Sequence, residues 1–336
     1  MLILGNDAVR RVLDGRELEV LAAVRQAYVQ HARGETALPH SVFLRFPDDT
    51  RNRIIGLPAY LGGAQAVAGM KWIASFPGNV ELGLQRASAA IVLNSMRTGN
   101  PVALLEGSTI SARRTAASAA LAAATLPGAT PDSGVTLVGT GVINREVLRF
   151  LRVVRPELRA VTVFDLDRDR AESFATRCGP GLTVTVAAEL AEALAAHRLV
   201  SFATTASVPH TDLSACHPGT LVLGLSLRDV TIDGVRAAVN IVDDHDHVCR
   251  AATSLHLAEQ HLGHREFITG ALGDLLTSGT EHHRHPDRVT LFSPFGLGVL
   301  DLAVSALVLR LARESGLGVE LTDFLPAGEA AMSSTG

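Results

Sequence analysis

The chain is most constrained where it is most rhythmic. From Val135 onward, compact apolar runs alternate with helical stretches. The run 135–138 leads into Gly139-Thr140-Gly141 and a helix to about Val154. The run 161–164 leads into a helix to about Arg177, and further runs follow at 182–186, 199–203, 221–225 and 239–242. Strands separated by helices cannot close as hairpins. Each must be reached by a crossover, which makes the strands parallel and puts helices on both faces of the sheet. The expected fold class is therefore α/β, with a Rossmann-type parallel sheet over residues 116–297.

The first third has a different grain. Residues 6–14 and 16–33 read as helices, the second carrying Leu18, Leu21, Val24, Ala27 and Tyr28 at helical spacing before Gly34 ends it. Short β-type runs then dominate at 42–46, 53–57, 66–73, 87–94 and 103–106, separated by Gly62-Gly63 and Pro77-Gly78-Asn79. An α+β domain with a largely antiparallel sheet is expected over 1–115. An Ala-rich helix follows at about 112–126, stopped by Pro127-Gly128. A last helix at 297–313 lies beyond the alternation and is expected to return residues 298–336 to the first domain.

Charge and composition exclude several classes. With 34 acids against 30 bases and 4% aromatics, nothing suggests a nucleic-acid partner. Three scattered cysteines with no CxxC fit a reducing cytoplasm. Residues 1–7 carry no basic region, and the apolar stretches 116–126 and 297–309 are too short or interrupted by Asp301, so no leader or membrane span is expected.

Of the 30 basic residues one is a lysine, Lys71; the other 29 are arginine. Arginine replaces a plain surface lysine at little cost, whereas a compact ammonium with a mobile pKa is not replaceable in this way. Lys71 is either a chance survivor on the surface or a residue with a task arginine cannot perform.

Gly139-Thr140-Gly141-Val142-Ile143-Asn144 follows a strand and opens a helix, the context a dinucleotide site requires. Gly139 and Gly141 supply a tight turn and close backbone approach, and the helix start at Val142 and Ile143 faces the pyrophosphate. Asn144 stands where the pattern has a third glycine. Asp165 ends the next strand, placed to accept hydrogen bonds from the ribose hydroxyls and to repel a 2′-phosphate, which favours NAD over NADP. Arg168 and Arg170 nearby are the features that would favour NADP. The plainer alternative is a bare βα turn with Asp165 capping a helix.

Arg113 and Arg114 fall in the expected first turn of the Ala-rich helix, against the macrodipole. They suit either a bound anion or a solvated turn. Asp229, in Leu225-Ser226-Leu227-Arg228-Asp229-Val230, follows a strand and is either an acid/base group or a loop cap. The His-rich tracts at 281–285 and 243–247 lack metal-ligand spacing and read as polar loops or helix starts. No metal is expected.

Taken in order, Arg53-Ile54-Ile55-Gly56-Leu57-Pro58, Gly69-Met70-Lys71-Trp72, Arg114-Thr115-Ala116-Ala117, the glycine turn and Asp229 resemble the ornithine cyclodeaminase/mu-crystallin family over most of the chain. The stretches 71–79, Arg86-Ala87-Ser88, Leu105-Glu106-Gly107-Ser108, 110–120, Val242-Asp243-Asp244 and Arg265-Glu266-Phe267 resemble the branch that makes 2,3-diaminopropionate for siderophores and peptide antibiotics. Cyclodeaminases of the family are glycine-rich before the aspartate and carry a lysine shortly after it; Ser226-Leu227-Arg228-Asp229-Val230-Thr231 has neither.

The resemblance implies an NAD-dependent enzyme that cleaves N-(1-amino-1-carboxyl-2-ethyl)-glutamate to 2-oxoglutarate and 2,3-diaminopropionate. Arg53, Lys71 and Arg114 would hold substrate carboxylates, and Lys71 and Asp229 would move protons. Thr115 would touch the pyrophosphate; Thr204, Thr205 and Ser226 would line the cofactor. Residues 1–115 and 298–336 would bind substrate and join two copies into a homodimer, and 116–297 would bind NAD. The rivals are an ornithine cyclodeaminase, an alanine dehydrogenase or a ketimine reductase of the same family, or a non-catalytic NAD(P)- or small-molecule-binding protein like the crystallin branch.

Overall fold

A computed structural model of the chain describes residues 1–326. Residues 327–336, expected to lie with the first domain, are outside the described residues.

The chain opens with β1 (Leu2–Leu4), α1 (Asn6–Leu13) and α2 (Glu17–Ala32). A run of strands follows: β2 (Thr36–Ala37), β3 (Val42–Phe46), β4 (Asp49–Leu61), β5 (Val67–Ser75), β6 (Ala87–Asn94) and β7 (Pro101–Glu106). The long helix α3 (Gly107–Thr125) leads into the alternating part: β8 (Gly134–Val138), α4 (Val142–Val154), β9 (Ala160–Phe164), α5 (Arg168–Ala175), β10 (Thr183–Val186), α6 (Leu190–Ala196), β11 (Leu199–Phe202) and β12 (Leu221–Gly224). It continues through α7 (Ile232–Ala237), β13 (Val239–Val242), α8 (His245–Val248), α9 (Ser254–Leu262), β14 (Ile268–Ala271), α10 (Leu272–Thr277) and β15 (Thr290–Ser293). Finally α11 (Gly298–Glu314) and β16 (Val319–Glu320) return to the first sheet.

The two expected sheets are present. The first runs β16-β1-β7-β6-β5-β4-β2 with β3 paired to β4, and all its pairings but β1–β7 are antiparallel. The second runs β10-β9-β8-β11-β12-β15-β13-β14, every pairing parallel. Strand order reverses at β8, which has β9 on one side and β11 on the other, so a crevice opens at its carboxyl end. β15 enters the sheet between β12 and β13, a strand the alternation did not announce.

Register decides what the first sheet buries. Leu57 lies opposite Lys71, Lys71 opposite Ile91, and Ile91 opposite Leu105. Side chains alternate along a strand, so these residues share one face. Ile91, Leu93, Ala103 and Leu105 are fully buried there, and Gly69 and Gly298 lie against Leu302 and Ala59 with no room for a Cβ. The other face carries Leu44, Ile54, Met70, Trp72 and Val92 and is open: Trp72 is 42% exposed and Met70 38%.

One expectation is overturned. α3 starts at Gly107, five residues before the expected boundary, because the Glu106 side chain accepts hydrogen bonds from the backbone N–H groups of Ser108 and Thr109. Arg113 and Arg114 therefore lie in the second turn, and both are buried. Neither is a solvated first-turn residue. Arg113 pairs with Asp14 and, at 3.6 Å, with Glu146.

Candidate active site

Three clusters of polar side chains hold the candidate residues. The first is centred on Lys71, which is 2% exposed. Its Nζ lies 2.6 Å from Asp301 Oδ2 and donates to Ser111 Oγ at 3.2 Å. The other Asp301 oxygen accepts from Arg114 Nε at 3.0 Å. Asp301 is wholly buried in the first turn of α11 and so bridges both cations. Burial pulls the Lys71 ammonium down to about 8, Arg114 adds repulsion, and Asp301 opposes both. The loop before α11 completes the cluster. Asp243, at the end of β13, accepts from the backbone N–H groups of Phe295 at 2.9 Å and Gly296 at 2.7 Å. Gly296 has φ +97°, and a Cβ there would sit 2.7 Å from Arg114 Nη1, so only glycine lets the guanidinium pass.

The second cluster surrounds Arg53. Arg45 is its partner across β3–β4, Ser75 its partner across β4–β5, and Ser75 Oγ accepts from Arg86 Nη1 at 2.8 Å. Arg228 reaches in from the second sheet. Burial lowers the Arg53 pKa, and repulsion from Arg86, Arg228 and Arg45 lowers it further. A cavity of about 700 Å³ has Phe43, Arg45, Asp246, His247, Arg250 and Phe295 in its wall.

The third cluster follows β12. Asp229 is 2% exposed and accepts hydrogen bonds from the hydroxyls of Thr204 and Ser226 and, at 3.2 Å, from His210 Nε2. Ser226 Oγ also receives the Thr204 N–H at 3.0 Å. Thr205 is exposed.

The glycine turn closes the carboxyl end of β8. Gly139 has φ +87°, and a Cβ there would lie 2.5 Å from the Ala203 carbonyl oxygen. Gly141 precedes α4 with open space around it, Val142 is exposed and Ile143 half-buried. Asn144 fills the third-glycine position with hydrogen bonds: its Nδ2 donates to the carbonyls of Val138 and Gly139, and its Oδ1 accepts from Ser201. Asp165 Oδ2 accepts from both N and Oγ1 of Thr140, at 2.8 and 2.7 Å, tying the end of β9 to the turn. A cavity of about 360 Å³ lies here, lined by Thr140, Gly141, Val142, Arg145, Arg170 and Arg177. Thr115 turns its hydroxyl back to the Ser111 carbonyl at 2.7 Å.

The structure thus joins Lys71 to Arg114, and Asp229 to Thr204 and Ser226, while Arg53 keeps separate company. Sequence reasoning missed Asp301, Ser111, His210, Arg45, Arg86 and Arg228 as members of these clusters. Asp301 carried a signal as the charge interrupting an apolar helix, and Ser111, Arg86 and Arg228 lay inside the segments that carry the resemblance, without a role attached. The 243–247 tract is used internally, Asp244 pairing with His31 and His247 while capping α8, and the 281–285 tract lies in a loop with His283 and His285 exposed. Among the described residues no group of His, Cys, Asp or Glu is arranged to hold a metal ion, and no helix is long and apolar enough to cross a membrane.

Comparison with known proteins adds to this geometry. A profile of the ornithine cyclodeaminase/mu-crystallin family matches residues 9–316. The N-((2S)-2-amino-2-carboxyethyl)-L-glutamate dehydrogenase of Staphylococcus aureus is 25% identical over 330 residues, spanning 96% of this chain and 98% of that one. The crystal structure of CmnK is 30% identical with a TM-score of 0.89, spanning 97% of this chain and 99% of that one. An archaeal alanine dehydrogenase dimer with bound NAD is 24% identical with a TM-score of 0.85, spanning 96% and 99%, a likeness of fold.

Proposed function

The chain belongs to the ornithine cyclodeaminase/mu-crystallin family, and we propose that within it the chain is an NAD-dependent dehydrogenase that cleaves N-(1-amino-1-carboxyl-2-ethyl)-glutamate into 2-oxoglutarate and 2,3-diaminopropionate. The observation that carries this reading is the presence of two cationic anchors on one sheet face. Arg53 lies four residues along β4 from Leu57, the partner of Lys71. At roughly 3.3 Å per residue the two strand positions are about 13 Å apart. A simple α-amino acid with one carboxylate uses one anchor. A conjugate with carboxylates at both ends uses both, and the guanidinium fork suits each.

The residues at the glycine turn fit a dinucleotide. The backbone approaches closely where Gly139 and Gly141 lack Cβ atoms, and the start of α4 presents free N–H groups to a pyrophosphate. Asp165 at the end of β9 favours NAD over NADP. Thr115, Thr204, Thr205 and Ser226 are the further cofactor contacts in this reading. Bound NAD+ supplies the acceptor for the hydride that leaves the glutamate α-carbon.

The protein's own groups do the rest. Arg114 and Lys71 hold the carboxylate beside the reacting carbon, and Asp301 keeps both cations in place. Asp229 accepts a proton from the amine or from water, its carboxylate oriented by Thr204, Ser226 and His210. Oxidation leaves an imine on the substrate. Water adds to its carbon, Lys71 passes a proton to the departing nitrogen, and the carbinolamine collapses to the oxo acid and the diamino acid. One substrate, one NAD+ and one water give 2-oxoglutarate, 2,3-diaminopropionate, NADH and a proton. The open face around Trp72 and Met70 is proposed as the seam of a homodimer.

Incubation with the conjugate and NAD+ is expected to yield NADH and 2-oxoglutarate in equal amounts. Proline and ammonia from ornithine without net NADH, or NADH from alanine alone, would overturn the assignment.

A further inference from the structure

We propose that Arg45, Arg53, Arg86 and Arg228 form a second carboxylate subsite, built from both sheets, that grips the side-chain carboxylate of the substrate's glutamate half and selects for substrates with a remote carboxylate. This deepens the reading above and rests on it for the identity of the carboxylate, though not for the existence of the subsite.

The arrangement is unfavourable without an anion. Arg45 and Arg53 stand directly opposite each other across β3–β4, and like charges in that position are destabilising. Arg86 converges on the same spot through Ser75, the Arg53 partner on β5. Arg228 is fixed from the far side of the cleft, its Nε and Nη2 donating to the carbonyls of Ala252 at 2.6 Å and Ala251 at 2.8 Å. Burial depresses the pKa of Arg53 and repulsion from Arg86, Arg228 and Arg45 adds to it; burial, with Arg45, does the same to Arg228.

None of the four makes an ion pair with a carboxylate among the described residues, whereas Arg113, Arg114, Arg155 and Arg284 all do. Arg53 Nε is buried with no hydrogen-bond partner. A buried donor without a partner is costly, and one that lies among three more cations is satisfied best by an anion. The cavity beside Arg45 has room for the rest of a ligand. The inner anchor differs, since Asp301 already offsets part of its charge. The outer group is therefore the stronger attractor for a carboxylate, and it lies away from the reacting carbon.

Arg228 adjoins Asp229, so a carboxylate bound between Arg53 and Arg228 also borders the loop that carries the proposed base. The subsite then sets specificity by geometry as well as by charge.

Binding of glutarate, butyrate and inorganic phosphate to the full-length protein, measured by calorimetry with NADH present, tests the subsite directly. Glutarate is expected to bind at least about ten-fold more tightly than butyrate, and Arg45→Met and Arg86→Met each to erase most of that difference. Arg45 is exposed, so its variant keeps the test valid should Arg86→Met fail to fold. In turnover, the glutamate conjugate is expected to lose kcat/KM in both variants through KM, while a conjugate with norvaline in place of glutamate is little changed. Equal affinity for glutarate and butyrate in the unaltered protein, a preference that survives both substitutions, or tighter binding of phosphate than of glutarate would overturn the subsite. Failure of the functional reading looks different: no NADH from either conjugate, with the glutarate preference intact.

Discussion

Lys71 Nζ lies 2.6 Å from Asp301 Oδ2, a contact between β5 of the first sheet and α11. Both side chains are buried, and Asp301 also holds Arg114. Two cations thus share one carboxylate, which leaves the cluster with net positive charge.

Removing the shared carboxylate leaves two buried cations uncompensated. Asp301→Asn is expected to cost about 3–5 kcal/mol of stability, the usual consequence of breaking a buried ion pair from one side. Urea denaturation reads this directly. A midpoint equal to that of the unaltered protein would show that Asp301 does not hold the pair.

The pH dependence follows from Lys71. Burial favours the neutral amine, so the proton is lost at about 8 rather than at 10.5. Lys71 works in its protonated form in the proposed reaction. Hence kcat/KM is expected to fall as pH rises through about 8. Lys71→Arg keeps its charge at every accessible pH but loses the compact ammonium; its rate is expected to drop by roughly 100-fold or more, with no alkaline limb near 8. Turnover near the unaltered level in that variant would refute the role given to Lys71.

Asp229→Asn preserves shape and removes the proton acceptor. A loss of about 10²- to 10⁴-fold in kcat is expected, with NADH affinity held within a few-fold. Stopped-flow measurement of NADH formation separates the two effects.

Asp165 is expected to give NAD+ a clear advantage over NADP+ in kcat/KM, and Asp165→Ser to narrow it by relieving repulsion of the 2′-phosphate. Equal rates with the two cofactors in the unaltered enzyme would remove the argument.

Trp72→Glu places a charge at the centre of the open sheet face without touching the Lys71 face, since the two residues point to opposite sides of β5. Light scattering is expected to show a dimer for the unaltered protein and a monomer for the variant. A dimer in both would move the interface elsewhere.

Much of the architecture was legible because it rests on local periodicity. The βα rhythm after Val135 announced the parallel sheet, and Gly139 with Gly141 marked its switch point. The start of α3 is hidden in the sequence because Glu106 is a poor cap by type and the Ala-rich run begins only at Ala112. The Arg53 cluster was hidden for a different reason. Arg45, Arg53 and Arg86 come together only through the registers of β3, β4 and β5, and strand register depends on pairing that no single segment reveals. Lys71 stood out through its rarity, whereas its counter-ion was visible only as the acid that breaks an apolar helix.

The placement of α11 also orders events in time. The strands of the second sheet occupy one uninterrupted stretch, 134–293, and can pair as soon as that stretch is available. Most of the first sheet is made earlier, but its Lys71 face is covered only in part, by α3, until Gly298–Glu314 follows the second sheet in sequence. Until then Lys71 has Ser111 beside it but lacks Asp301, and that side of the core is incompletely sealed. The later-made half can thus be the first to finish folding, and the earlier half is completed only by a helix made after it.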